Sequence, residues 1–334
     1  MTTMLSGQQV LLLTLVLARL PLQTPASTPT ETAPKEKPAP AIRVLLDRLK
    51  PEVALDLAGT RGLASGDGSI WVSLTDTSRV VRVDPKTNKI TQTITLPKPP
   101  CPGMTFGFGA MWVPLCGGAG VARIDSKTNT VTMTVTKGLA AVVGTMWTGA
   151  GSVWAMTDDK GTLARIDPVA GVVVAEVYTG IGVSGMASGQ DALWIANATT
   201  NQLIRVTMQT NLIAESIKVG KSPVAAAYGE GAAWTLNAAD ATVSRIDPKT
   251  NKVTETIKLG VAVTSGQLAV GEGALWVSAP GVPLLRIDPR TNQVAQIFTG
   301  AGGGFVALAE GSVWIAADAK TLWRLDPKRI EATR

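Results

Sequence analysis

The chain has 334 residues, 45% hydrophobic and 17% charged, with 31 Lys and Arg against 25 Asp and Glu, so it can bury a sizeable core and is too apolar to be disordered. It contains no histidine, which excludes Ser-His-Asp triads, Cys-His dyads and histidine-ligated metal sites. A net charge of +6 over this length does not mark a nucleic-acid binder, and only one short stretch is continuously apolar, which excludes a multi-span membrane protein.

That stretch, residues 10–18 (VLLLTLVLA), is too short to span a bilayer and reads as the core of a signal peptide cleaved after Ala26. The signal peptide is therefore set at 1–26, and a periplasmic or secreted location follows, with no membrane span after cleavage. Residues 27–41, opening STPTETAPKEKPAP, offer almost nothing to bury and read as a Pro/Thr-rich tether. Folded structure is expected from residue 42. There IRVLLDRL reads as one or two turns of amphipathic helix before Pro51.

From Leu63 the chain repeats. Trp71, Trp112, Trp154, Trp194, Trp234, Trp276 and Trp314 are separated by 41, 42, 40, 40, 42 and 38 residues, each after a small turn, as in GDGSIW and GEGALW. Ten or eleven residues after each Trp stands an arginine, and in six copies an Asp follows two further on. The repeats fall near 63–100, 101–140, 141–182, 183–223, 224–264, 265–303 and 304–334. In the first, the pattern predicts strands over 62–65, 69–74, 79–83 and 90–96. The five residues DPKTN at 84–88 predict a hairpin whose fifth position is left-handed, and that position is Asn88, Asn129, Gly171, Asn211, Asn251 and Asn292. A period near 40 with four short strands per unit predicts a seven-bladed, all-β propeller over 42–334. The seventh unit is too short for its fourth strand, so residues 52–59 (EVALDLAG) are expected to complete the last blade.

The repeat tryptophans read as packing between blades; Trp147 and Trp323 lie off that phase. The connections from fourth to first strand and from second to third share one face of a propeller, called here the top face. Its polar candidates for ligand contact are Arg61, Asp76, Asp158, Asn197, Ser222, Asn237, Asp240, Ser265 and Asp318. Scattered amides, hydroxyls and single charges suit a small-molecule ligand or a protein surface; nucleic acid is not expected, because the tryptophans are assigned to packing. No metal or cofactor is expected, and a monomer is. Cys101 and Cys116 fall in one repeat on the same face, and export favours a disulfide between them.

The G-x-[LIV]-W-[VI] strands and R-[IV]-D-P-x-T-N hairpins resemble those of the YVTN-repeat and streptogramin-lyase-like (virginiamycin B lyase-like) propellers, over about residues 52–334. The resemblance implies a seven-bladed ring. Its lyase members open a cyclic depsipeptide by elimination with a histidine base, a glutamate and a magnesium ion near the axis. The missing histidine blocks that machinery here, so the leading expectation is an exported, non-catalytic binding propeller. The alternative is a lyase- or lactonase-like enzyme holding Mg²⁺ or Ca²⁺ on top-face Asp and Asn residues.

Overall fold

The first repeat folds into four antiparallel strands, Thr60–Gly66, Ser69–Leu74, Arg79–Asp84 and Lys89–Thr95. The left-handed hairpin position holds: Asn88, Asn129, Asn211, Asn251 and Asn292 take φ of 56–59°, and Gly171 takes 66°. This computed structural model describes residues 40–117, 120–139, 145–318 and 320–333. The chain divides into two units, Met1–Pro38 and Ala39–Arg334. The expected signal peptide, and the tether up to residue 39, lie outside the described residues.

Seven sheets follow in chain order: 60–95, 105–135, 146–178, 183–218, 223–258, 267–299 and 306–325. Each inner strand touches the next, and that of the seventh blade touches that of the first, so the ring closes. As expected, the N-terminal segment completes the last blade: Val53–Asp56 pairs antiparallel with Thr321–Leu325. A short helix, Pro327–Ala332, ends the chain, capped by Asp326 and buried at Ile330.

The helical expectation for IRVLLDRL is corrected. Ile42–Leu45 is a strand, parallel to the outer strand Gln293–Thr299 of the sixth blade, and only Leu46–Arg48 turns as a 3₁₀ helix. The free edge of that blade supplies backbone partners that an isolated turn lacks. Ile42 and Val44 then face inward at period two, and Leu46 and Leu49 are buried at a spacing of three.

The core is a set of seams between blades. Trp71 packs on Met111 and Val113 of the second blade, and Trp314 on Ile70 and Val72 of the first. All seven repeat tryptophans are fully buried. In six blades the indole N–H donates to a glycine carbonyl on its own inner strand, at 2.9–3.2 Å. A Cβ on two of these glycines, Gly66 and Gly189, would strike Phe106 and Tyr228 of the next blade, so glycine is required for the inner strands to approach.

The repeated arginine lies over its blade's tryptophan, 4.9–5.4 Å from the ring in four blades. Its guanidinium reaches across the seam to the next hairpin. Arg82 donates to Asn129 Oδ1, Arg165 to Asn211, Arg205 to Asn251, Arg245 to Asn292, and Arg324 to Asn88 across the closing seam. The left-handed asparagine therefore also accepts the neighbouring blade's arginine. Two blades depart from this. The hairpin after Arg123 carries Gly171, and Arg123 folds back onto Thr132 of its own blade; Arg286 meets Glu331 of the terminal helix instead.

Two residues before the Trp, Ser69, Ser152 and Ser312 accept from the Nε of the same arginine. The fourth blade has Ala192 there, and Arg205 Nε is buried without a partner. Ala192→Ser should therefore stabilise the protein by about 0.5–1 kcal/mol. Urea unfolding reads this, and a destabilised variant would mean that the seam has no room for the hydroxyl.

Candidate functional site

The inner strands enclose a central channel of about 950 Å³ that runs from the top-face loops to the opposite face. Cys101 and Cys116 are joined by a disulfide, Cα to Cα 5.1 Å, and both line the channel with Pro102 and Gly103. The bridge ties a fourth-to-first connection to the end of the second strand of the same blade. It thereby narrows the conformations open to the residues at the rim.

Among the described residues, no charged side chain lines the channel. Residues 140–144 (AAVVG) lie outside the described residues. No group of three His, Cys, Asp or Glu residues that could hold a metal ion occurs among the described residues.

The structure disperses the top-face candidates. Asp158 Oδ1 accepts the backbone N–H of Lys160 and Thr162, at 3.0 and 2.9 Å. Burial works against its charged form, but these N–H groups and that of Gly161 outweigh it and hold the carboxyl below its ordinary value. Asp318 Oδ1 accepts from the backbone N–H of Lys320 and Thr321, both at 2.7 Å, and its carboxyl is likewise lowered by those backbone donors against the opposing effect of burial. Both carboxylates are committed to shaping their own loops.

Asn197 and Asn237, expected on the loop surface, are instead buried, at 1% and 0% exposure. Asn197 Oδ1 accepts from Thr199 and Thr200, while Asn237 bonds Thr235, Thr242 and Ser244. Each ends a second strand whose neighbours leave the amide no water, so protein groups must satisfy it. Asp240 accepts the N–H of Lys221, and Ser222 donates its N–H to Asn201, tying adjacent connections together. Arg61, placed in the inner strand rather than in the loop before it, is exposed, as are Asp76 and Ser265. Six of the nine candidates are thus engaged in hydrogen bonds within or between their own loops.

The residues that do converge were not on that roll. Trp147 lines the channel and packs half-buried on the seam cluster containing Trp154 and Met186. Its departure from the Trp period was the one legible signal. Met104, Phe106, Met146 and Gln267 also line the channel. Trp323 is half-buried against the seam between the sixth and seventh blades.

No family model matches the sequence, and no curated protein matches it. Solved structures do. The chain is similar to the selenomethionine-substituted virginiamycin B lyase from Staphylococcus aureus, with a TM-score of 0.69 at 19% identity, covering 81% of this chain and 97% of that one. It is also similar to a streptogramin B lyase, with a TM-score of 0.67 at 17% identity and the same coverage. At these identities the likeness is one of fold: a streptogramin-lyase-like, seven-bladed ring.

Proposed function

We propose that this chain is an exported, non-catalytic β-propeller that binds a small-molecule ligand or a partner protein through its top-face loops, as a monomer. The observation that carries the reading is the fate of the top-face carboxylates. Asp158 and Asp318 each commit one oxygen, Oδ1, to backbone N–H groups of their own loops, and those donors hold both carboxyls below their ordinary value, which makes them poor bases. What remains is shape, namely loops held by asparagine and aspartate turns and a rim closed by a disulfide. Export rests on residues 10–26 and suits the disulfide.

Turnover of virginiamycin B in the presence of Mg²⁺ tests the non-catalytic part, because the fold is shared with a lyase named for that compound. Mass spectrometry should find the ring intact after prolonged incubation. Ring opening that is lost in Asp158→Ala or Asp318→Ala would put a metal-assisted enzyme in its place. For export, the secreted chain should begin at Ser27.

A further inference from the structure

We propose that the channel is itself a binding site for an uncharged, planar, largely apolar small molecule, seated against Trp147. This goes beyond the top-face reading and holds whether or not the loops take a partner.

The argument starts from one repeated position. The inner-strand residue directly opposite each blade's tryptophan is Ala64, Ala187, Ala227, Ala269 and Ala307 in five blades, and Thr105 in the second. A small side chain there is sufficient to close the ring. In the third blade the position is Trp147, opposite Trp154. Its bulk is therefore surplus to the fold, and it lines the channel.

Trp147 does not stand alone. Met104, Phe106, Met146 and Met186 line the same side, contributed by the second, third and fourth blades. Across the ring, the fifth, sixth and seventh blades present Ala225, Ala226, Ala227, Ala269 and Ala307. Larger residues, among them Tyr228, Leu268 and Leu308, stand beside those alanines, but at the position equivalent to Trp147 every other blade carries alanine or threonine, so the indole is the one large side chain there. Trp147 packs half-buried against the seam cluster that contains Trp154 and Met186, so part of its ordering is already met before a ring stacks on it.

Charge decides the ligand class. With no charged side chain in the described lining, an ion entering the channel would give up hydration for no counter-charge, whereas a neutral apolar ring gives up little. Among the polar groups of the lining, which include Thr105, Thr145, Ser184 and Tyr228, Gln267 stands out: its Nε2 donates no hydrogen bond among the described residues, so it can serve a ligand carbonyl or ether oxygen. An uncharged cavity of about 950 Å³, lined by apolar side chains interleaved with hydroxyl groups, has the size of small-molecule sites.

Two dyes that share one ring system test this on the full chain. N-phenyl-1-naphthylamine is neutral, and 8-anilinonaphthalene-1-sulfonate adds a single negative charge. The neutral dye should bind saturably at one site per chain, and the sulfonate roughly tenfold or more weakly. Trp147→Ala, which installs the residue that five other blades carry, should fold normally and weaken the neutral dye roughly tenfold; Trp147→Phe should restore most of the affinity. A neutral dye without a saturable site overturns the proposal. So does a sulfonate bound as tightly, or a Trp147→Ala affinity equal to that of the parent.

Discussion

Arg324→Ala should destabilise the protein by about 2–3 kcal/mol, because a charged donor with three hydrogen bonds leaves the seam where the ring closes. Arg324 Nη1 donates to Pro85 O and Asn88 Oδ1, at 2.6 and 2.8 Å, and its Nε donates to Ser312 Oγ at 2.9 Å. The first two partners lie in the first blade, 239 and 236 residues away in sequence. The proper control is Arg123→Ala. Arg123 faces a hairpin with Gly171 in place of asparagine, bonds Thr132 of its own blade, and stands 6.0 Å from the Trp112 ring. Its loss should cost about 1 kcal/mol or less. Urea unfolding of the pair separates the seam bond from everything the two arginines share. Equal losses would show that the cross-blade bonds add nothing.

Removing the N-terminal strand should have the larger effect. A chain beginning at residue 51 keeps Val53–Asp56 but loses the strand Ile42–Leu45 and the buried Leu46 and Leu49. At about 2 kcal/mol for each leucine, its melting temperature should fall by roughly 10 °C while the transition stays cooperative. A chain beginning at residue 60 also loses the strand paired with Thr321–Leu325, together with buried Leu57. The seventh blade then exposes an unpaired edge beside a seam that holds Trp314. Loss of a cooperative transition, with aggregation, is expected. Thermal unfolding followed by circular dichroism distinguishes the two truncations, and similar curves would refute the assignment of ring closure to Val53–Asp56.

The strand order and the hairpin conformation were legible because each is a local pattern repeated in six or seven blades, and the closing strand because the seventh copy lacks a fourth strand of its own. Asn88 and its counterparts announce a left-handed residue, and Gly171 supports that inference by being the other residue that tolerates it. The segment IRVLLDRL misled because eight residues can satisfy two periods at once: Ile42 and Val44 fit a strand, and Leu46 and Leu49 fit a turn. What chose between them was an edge some 250 residues away in sequence.

The candidate site was less legible for a related reason. Polar residues in connecting loops look available in sequence, yet Asn197 and Asn237 are buried, and Asp158 and Asp318 are occupied by backbone N–H groups a few residues on. Whether a loop side chain faces solvent or its own main chain depends on the path of the loop, which residue type does not specify. The wall formed by Trp147, Met104 and Met186 was hidden because its members belong to three different repeats.

By itself, then, the sequence determined the period, the four strands of each blade, the seven-fold ring and the buried tryptophans, all consequences of spacing and turn chemistry within some 40 residues. Only the tertiary structure decided which hairpin each arginine grips, that the N-terminal segment adds a fifth strand to the sixth blade, and that Trp147 lines an uncharged channel. Those features arise where neighbouring blades meet, and contacts between blades are fixed by the closure of the ring rather than by the pattern along any one strand.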